Sequence, residues 1–156
     1  MLDFRYLQDP ASEKWLIMAP KRAKRPDQAK GQEPPCPFED RMEEEVYVLN
    51  EVKVVKNKYP FAPIHEIVIH SDDHHKNFDE LPINKIEDIF KVFRHRFVTH
   101  HEKGQVYIFH NQGKRGGESL PHPHTQIAVV PNEVKLEIPV LKPRDEERKD
   151  LKYFYI

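Results

Sequence analysis

One amphipathic helix, set among short strand-like segments, constrains the fold of this chain more than any other feature. Over about residues 84–101, apolar side chains recur at i, i+3, i+4, i+7 and i+11, which places them on one helical face. These side chains are Ile86, Ile89, Phe90, Phe93 and Phe97. Asn84 with Glu87 resembles a capping box at the helix start, and Gly104 follows its end. The pattern predicts one long helix that packs against other elements through this face.

The segments around the helix favour strands. Residues 65–71 alternate between polar and apolar side chains, and residues 45–55, rich in Val and Tyr, predict one strand or two short ones. Further strands are predicted at residues 13–19, 105–109, 124–130 and 134–141, the last two as plausible partners in a hairpin. We therefore predict an α+β fold, a mostly antiparallel sheet with one long packed helix. Residues 1–156 are predicted to form a single domain with a loop over about residues 26–40.

Composition excludes several classes of protein. The chain has 25 Lys and Arg residues against 26 Asp and Glu, a net charge of −1, which gives no electrostatic case for nucleic-acid binding. No apolar run approaches the length of a membrane span, and the first residues lack the pattern of a signal peptide. The single cysteine, Cys36, excludes an internal disulfide framework. We expect a soluble, cytoplasmic protein.

The segment from residue 109 to residue 127 carries the pattern most typical of chemistry. His122, His124 and Gln126 share one face of a strand if that strand begins early enough. A preceding loop with Gly116, Gly117 and Ser119 offers backbone N–H groups and a hydroxyl to an anion. A phosphate cradle beside an aligned imidazole is what nucleophilic attack on phosphorus requires. A bare His-Pro-His is also a common surface pattern without function, but the loop and Gln126 argue against that interpretation here.

Four segments, in order, resemble one family. They are residues 5–27, residues 55–60, residues 65–69 with Asp73 and His74, and residues 109–126, which include Phe-His-Asn, Gly-Gly-Glu-Ser-Leu and His-Pro-His-Thr-Gln. In this order they resemble the N-terminal half of the galactose-1-phosphate uridylyltransferase family, a branch of the histidine-triad superfamily. The resemblance implies a histidine-triad-like fold and a nucleotidyltransferase of carbohydrate and galactose metabolism.

The resemblance also implies roles for individual residues. His124 corresponds to the nucleophile, and Gln126 to the glutamine that contacts the transferred phosphate. The implied nucleotide- and phosphate-binding residues are Arg22, Arg25, Asn57, Asn111, Gly116, Gly117 and Ser119. Asn57 aligns less well, because Lys58 follows it where the family has an acidic residue. Without the resemblance, the cluster around Arg22 and Arg25 would be interpreted as a solvated charged turn.

A zinc site is implied at four positions. Family members hold zinc through a Cys-x-x-Cys pair and two histidines, and the corresponding residues here are Cys36, Glu39, His74 and His122. Glu39 replaces a cysteine, and carboxylate is an acceptable zinc ligand. His75 is an alternative ligand, and a degenerate site without metal is the other interpretation. Five other histidines, His70, His95, His100, His101 and His110, are expected to be surface or packing residues.

The implied activity moves a nucleoside monophosphate between sugar 1-phosphates through a covalent nucleotidyl-histidine. The alternatives are a phosphorylase or hydrolase of ADP-sugars or dinucleotides, and a nucleotide-binding module without catalysis. Gln126 argues against a hydrolase, because an amide does not titrate and cannot activate water. The sequence does not separate uridine from adenosine.

Length bears on assembly. The family's enzymes are about twice as long, so this chain is either a natural single-repeat protein or a fragment. We expect a homodimer, with the apolar segment 153–156 as a candidate interface strand.

Overall fold

The computed structural model describes residues 4–25, 36–40 and 44–136. Seven strands are described: β1 (Arg5–Gln8), β2 (Trp15–Met18), β3 (Glu45–Leu49), β4 (Val52–Lys56), β5 (Ile64–Ile69), β6 (Gln105–His110) and β7 (His124–Val130). Two α-helices accompany them, the short α1 (Pro37–Asp40) and the long α2 (Ile83–His100). Within these ranges, no helix is long and apolar enough to cross a membrane.

Five of the strands form one antiparallel sheet in the order β3-β4-β5-β7-β6. β7 is hydrogen-bonded on both sides, with Ile69 of β5 and His110 of β6 near its first residues. The start of β7 is therefore held from two directions at the place where His124 lies. β1 and β2 form a separate two-stranded antiparallel sheet.

The five-stranded sheet is apolar on both faces. One face packs against α2 around a buried cluster of Val52, Val54, Val68, Leu81, Ile89, Val92, Phe93 and Ile127. On the other face, Ala128 and Val130 of β7 pack with Ala62 and Val134, and with Tyr6 and Trp15 of the β1–β2 pair. Because side chains alternate along a strand, β6 and β7 contribute residues to both clusters. The α+β prediction, with a mostly antiparallel sheet and one long helix, is confirmed.

The helix was predicted within one residue at each end, but its predicted cap is wrong. Pro82 is the N-cap residue, and no side chain caps the helix. Asn84 already lies inside the first turn, so its side chain cannot act as the flanking cap. The capping box occurs earlier, between Asn77 and Glu80 at a 3₁₀ turn. The turn before α2 thus carries the signal that the sequence analysis assigned to the helix itself.

Other differences are local. The segment at 45–55 forms two short strands, which was one of the two predicted alternatives, and the turn between them contains Asn50 with a φ of 54°. β1 was not predicted, because its sequence Arg-Tyr-Leu-Gln lacks the continuous apolar run that marks β2. Val134 to Leu136 contain no strand, and the rest of the predicted strand at 134–141 lies outside the described residues. So do residues 26–35 of the predicted loop and the segment 153–156.

Candidate active site and metal centre

His124 lies at the first position of β7 and is 6% exposed. Its Nδ1 is 2.9 Å from the carbonyl oxygen of His122, so Nδ1–H donates to the main chain. The lone pair of the neutral ring is therefore on Nε2. Burial lowers the pKa of His124, which favours this neutral form. The arrangement presents an imidazole with a fixed tautomer and an available nitrogen lone pair.

Gln126 lies two residues along β7 on the same face as His124 and is also buried. Its Oε1 is 3.0 Å from Nε2 of His65 on β5. Asn57 lies beside the same ring, with its Nδ2 3.2 Å from His65 Nε2, while its Oδ1 accepts the N–H of Tyr59. The structure thus brings Asn57 and Gln126 together through a histidine to which the sequence analysis gave no role.

The glycine-containing loop folds back on itself before β7. The backbone N–H of Gly113 donates to the Glu118 carboxylate at 2.8 Å, and the Glu118 N–H donates to the Gly113 carbonyl. Gly113 and Gly117 have φ values of 69° and 77°, a region that side chains with a Cβ rarely adopt. Burial raises the pKa of Glu118. This carboxylate closes the loop and was missed by the sequence analysis.

The other predicted phosphate-binding residues occupy the same loop. Ser119 is buried and leads toward His122, whereas Gly116 and Gly117 are exposed. Asn111 is half-buried at the start of the loop, directly after β6. The loop therefore connects the end of β6 to the histidines at the start of β7.

The two predicted arginines lie at the 3₁₀ turn after β2. The guanidinium of Arg22 donates to the Tyr59 carbonyl at 2.5 Å and stacks over the Phe61 ring at 5.1 Å. Burial, with a smaller contribution from Arg25, lowers the pKa of Arg22 to about 10. Burial is the main cause that lowers the pKa of His65 and of His124, and the charge of Arg25 makes a smaller contribution in the same direction. Both arginines are thus close enough to add positive potential to the site.

Three of the four predicted zinc ligands lie together. The ligand atoms of Cys36, His74 and His122 are all within 4.8 Å of one another. Cys36 Sγ is 3.5 Å from His122 Nδ1, about the separation of two ligands on one tetrahedral zinc with bonds of about 2.3 and 2.0 Å. The side chain of Glu39 lies outside the described residues. His75 is not among the grouped ligands of the described part of the chain.

His122 is oriented for this role by the main chain. Its Nε2 is 2.8 Å from the carbonyl oxygen of Ser71, so Nε2–H donates and Nδ1 presents its lone pair toward Cys36. A second ring nitrogen bound to a carbonyl is the usual support of a histidine ligand. The donor set of one sulfur and two imidazole nitrogens suits zinc.

Two further residues near His124 were not assigned to the site by the sequence analysis. His110 Nδ1–H donates to the His124 carbonyl at 2.8 Å, and it is the register of β6 with β7 in the structure that brings the two residues together. The Phe38 ring lies edge-on to the rings of His122 and His124, at 5.3 and 5.9 Å between centroids. Nothing in the sequence separates Phe38 from other loop aromatics.

The fold is histidine-triad-like. A solved structure described as a histidine-triad (HIT) family hydrolase from Clostridium thermocellum covers 65% of this chain and 90% of its own, with 18% identity and a TM-score of 0.52.

Within that class, residues 63–130 match the family described as galactose-1-phosphate uridyl transferase, N-terminal domain. The chain is 27% identical to galactose-1-phosphate uridylyltransferase of Thermotoga maritima, over 96% of this chain and 54% of that protein. It is 25% identical to ADP-glucose phosphorylase of Arabidopsis thaliana, over 80% of this chain and 48% of that protein. The chain is thus similar to the N-terminal half of galactose-1-phosphate uridylyltransferases. It spans about half the length of these curated relatives.

Proposed function

We propose that this protein is a nucleotidyltransferase that moves a nucleoside monophosphate from a nucleoside-diphosphate hexose to a hexose 1-phosphate. The observation that carries the proposal is the His124 ring, whose Nδ1–H is held by the His122 carbonyl beside the loop that ends in Ser119. The similarity to galactose-1-phosphate uridylyltransferase supports this substrate class. The cytoplasmic location stays a prediction from the sequence.

The reaction proceeds in two displacements. The Nε2 lone pair of His124 attacks the α-phosphorus, the bond from phosphorus to the leaving oxygen breaks, and hexose 1-phosphate departs with that electron pair. An oxygen of a second hexose 1-phosphate then attacks the same phosphorus, and the P–N bond breaks to restore the neutral ring. Donors from the 116–119 loop and from Gln126 stabilise charge on the phosphoryl oxygens, at about 3–4 kcal/mol for a well-placed donor.

Gln126 favours transfer over hydrolysis. Its amide cannot take a proton from water, so the nucleotidyl-histidine persists until a phosphate acceptor arrives. A phosphorylase that shares the first displacement and uses inorganic phosphate as acceptor is the second candidate. The similarity to ADP-glucose phosphorylase is the observation that supports this second candidate.

The test is mass spectrometry after incubation with UDP-glucose or ADP-glucose, without acceptor. We expect one nucleotidyl group on His124, and its mass identifies the nucleotide. Adding galactose 1-phosphate or inorganic phosphate to the isolated adduct then separates the two candidates. No adduct with either donor, together with intersecting initial-rate plots, would show that the double displacement is wrong.

We propose that Cys36, His74 and His122 hold a zinc ion, with Glu39 as the fourth ligand. The ion would connect residues 36–40 to the segment that carries His124 and thereby stabilise the site structurally. Elemental analysis of protein purified without chelators should give one zinc per chain. Cys36→Ser should lose the metal and lower thermal stability, whereas His75→Ala should retain it. Loss of zinc from His75→Ala alone would contradict the ligand set.

We further propose that a second copy of the chain covers the open edge of the sheet. Among the described strands, β6 is one of the two edge strands of the five-stranded sheet, and beside it an open groove of about 520 Å³ is lined by Phe90, Phe93 and Phe97 of α2 and by apolar residues of β6. Phe90 and Phe97 are 42% and 48% exposed, an unusual amount of exposed aromatic surface. Light scattering should show a dimer that Phe97→Glu weakens and that the exposed control Val98→Glu does not. A fully active monomer at micromolar concentration would contradict the proposal.

A further inference from the structure

His65 is a buried histidine on the same face of the sheet as His124 and Gln126. It is 5% exposed, and the Phe61 ring lies edge-on to its ring at 4.3 Å between centroids. It is not adjacent to the proposed metal ligands, and the proposed mechanism gives it no step. Its partners nevertheless lie in the site, since it contacts both Asn57 and Gln126.

The contacts of His65 determine its tautomer. The backbone N–H of Phe61 lies 3.3 Å from His65 Nδ1, and a backbone N–H can only donate, so Nδ1 carries the lone pair. Burial is the main cause that lowers the pKa of His65 to about 3, and the charges of Arg22 and Arg25 add to it. The ring is therefore neutral and protonated on Nε2.

Among the residues that the structure describes, one acceptor lies within reach of the Nε2–H group. Asn57 Oδ1 accepts the Tyr59 N–H, and the Asn57 Nδ2 that lies 3.2 Å from His65 Nε2 is itself a donor, so it makes no hydrogen bond with Nε2–H. Gln126 Oε1, at 3.0 Å, is the acceptor that remains. The carboxamide of Gln126 is thereby fixed with its oxygen toward His65 and its NH₂ group on the opposite side.

We propose that His65 is a positioning residue that fixes the Gln126 amide, so that its Nε2–H₂ group donates to the phosphoryl group at His124. This inference rests on the proposed function, since it assigns the donor geometry of the same site. The two ends of a carboxamide are almost equal in shape, so packing alone does not choose between them. Without the His65 donor, the amide can turn and present its oxygen to the phosphate, which repels it.

A double-mutant cycle tests whether His65 acts through Gln126. The measured quantity is the rate constant of the first displacement. It is followed as nucleotidylation of His124 by UDP-glucose or ADP-glucose, whichever is active. We expect His65→Phe to lower it about 10- to 100-fold, part of the effect of losing one donor. In the Gln126→Ala background, the same change should cost less than about threefold, because the amide is already gone. His65→Gln, which keeps an N–H donor, should restore part of the rate.

A matched control separates positioning from packing. His70 is a fully buried histidine on the same segment, and it contacts Thr125 on the face that packs against α2. His70→Phe should change the rate constant of the folded protein less than about threefold. Equal and additive losses from His65→Phe in both backgrounds would overturn the proposal.

Nitrogen-15 NMR of the imidazoles provides a reading that does not depend on catalysis. The His65 ring should show the Nε2-protonated tautomer from pH 7 to pH 5, and His65→Phe should shift the side-chain amide resonances of Gln126. An Nδ1-protonated ring would overturn the proposal.

If the native protein forms no adduct, the proposed function fails. The NMR result and the same cycle, measured on UMP and AMP affinity, then decide the role of His65 independently.

Discussion

His65 and Glu66 are neighbours on β5, yet they lie on opposite faces of the sheet and are held in opposite ways. His65 is neutral and is oriented by one N–H donor and one oxygen acceptor, Phe61 N–H and Gln126 Oε1. Glu66 is paired with α2, where Arg96 donates two hydrogen bonds to its carboxylate at 2.6 and 2.9 Å. His100 contacts the same carboxylate at 3.0 Å. All of these side chains are less than 10% exposed.

The two faces show that buried polar side chains serve two different purposes. The ion pair connects the C-terminal part of α2 to the centre of the sheet, and its value depends on both partners being present. The neutral pair on the other face carries no net charge, but it determines which atom of an amide faces a ligand. On one face the buried polar side chains therefore attach α2 to the sheet, and on the other face they orient the amide of Gln126. Changes on the first should appear in stability, and changes on the second in rate.

The largest expected effect is on the site face, from His124→Ala. Removing the nucleophile should lower nucleotidyl transfer at least about 10⁴-fold and abolish the covalent adduct, as for other nucleophile deletions. Circular dichroism should show a folded protein. An adduct of unchanged amount in this variant would place the nucleophile elsewhere.

On the helix face, Arg96→Met should lower the free energy of unfolding by about 3–5 kcal/mol, because it leaves the Glu66 carboxylate buried beside an incomplete set of partners. Arg94→Met, an exposed position on the same helix, should change it by less than about 0.5 kcal/mol. Urea unfolding measures both. Similar losses in the two variants would mean that the buried pair is not an anchor.

An effect of intermediate size is expected in the pH dependence of the free energy of unfolding. The pKa of His65 is about 3 in the folded protein and about 6.5 when unfolded, so the unfolded state binds more protons between these values. Stability contributed by the neutral ring is present above pH 6.5 and is lost as pH falls, by about 2 kcal/mol at pH 5. His65→Gln should flatten the dependence of unfolding free energy on pH by this amount. His100→Gln should flatten it less, since Glu66 partly opposes the burial that lowers the pKa of His100.

The smallest effect concerns the fate of the intermediate. Gln126→His introduces a titrating group beside the nucleotidyl-histidine, and it should shorten the lifetime of the isolated adduct in buffer by about tenfold. Gln126→Ala serves as the control, because it removes the amide without adding a base. Equal adduct lifetimes in the two variants would show that the residue at this position does not govern access of water.

The sequence predicted the elements that repeat a period over enough residues. The helix with Ile89 and Phe93 on one face, and the strand from His124 to Val130, were both placed within one residue. β1, whose sequence is Arg-Tyr-Leu-Gln, has neither a period nor an apolar run and was missed, whereas the equally short but continuously apolar β2 was predicted. The grouping of Cys36, His74 and His122 followed from resemblance, and spacing alone would not have produced it.

The contacts that orient the site were beyond the sequence. The link between His65 and Gln126 joins residues 61 positions apart, and the tautomer depends on the N–H of Phe61, which every residue except proline would supply. Glu118 and His110 act through backbone atoms of Gly113 and His124. Main-chain partners leave no mark in residue identity, so only coordinates reveal them.

The acceptor that holds the His124 ring has a consequence for mutational robustness. It is the carbonyl of residue 122, and any amino acid at that position carries one. The backbone conformation around residue 122 therefore determines the tautomer that leaves the lone pair on Nε2. No single side-chain replacement removes the carbonyl that accepts from Nδ1–H. Substitutions at position 122 test metal binding and leave this part of the nucleophile's preparation in place. The tautomer of a ring that is oriented in this way tolerates substitutions at neighbouring positions, provided that the backbone conformation of the turn before β7 is retained.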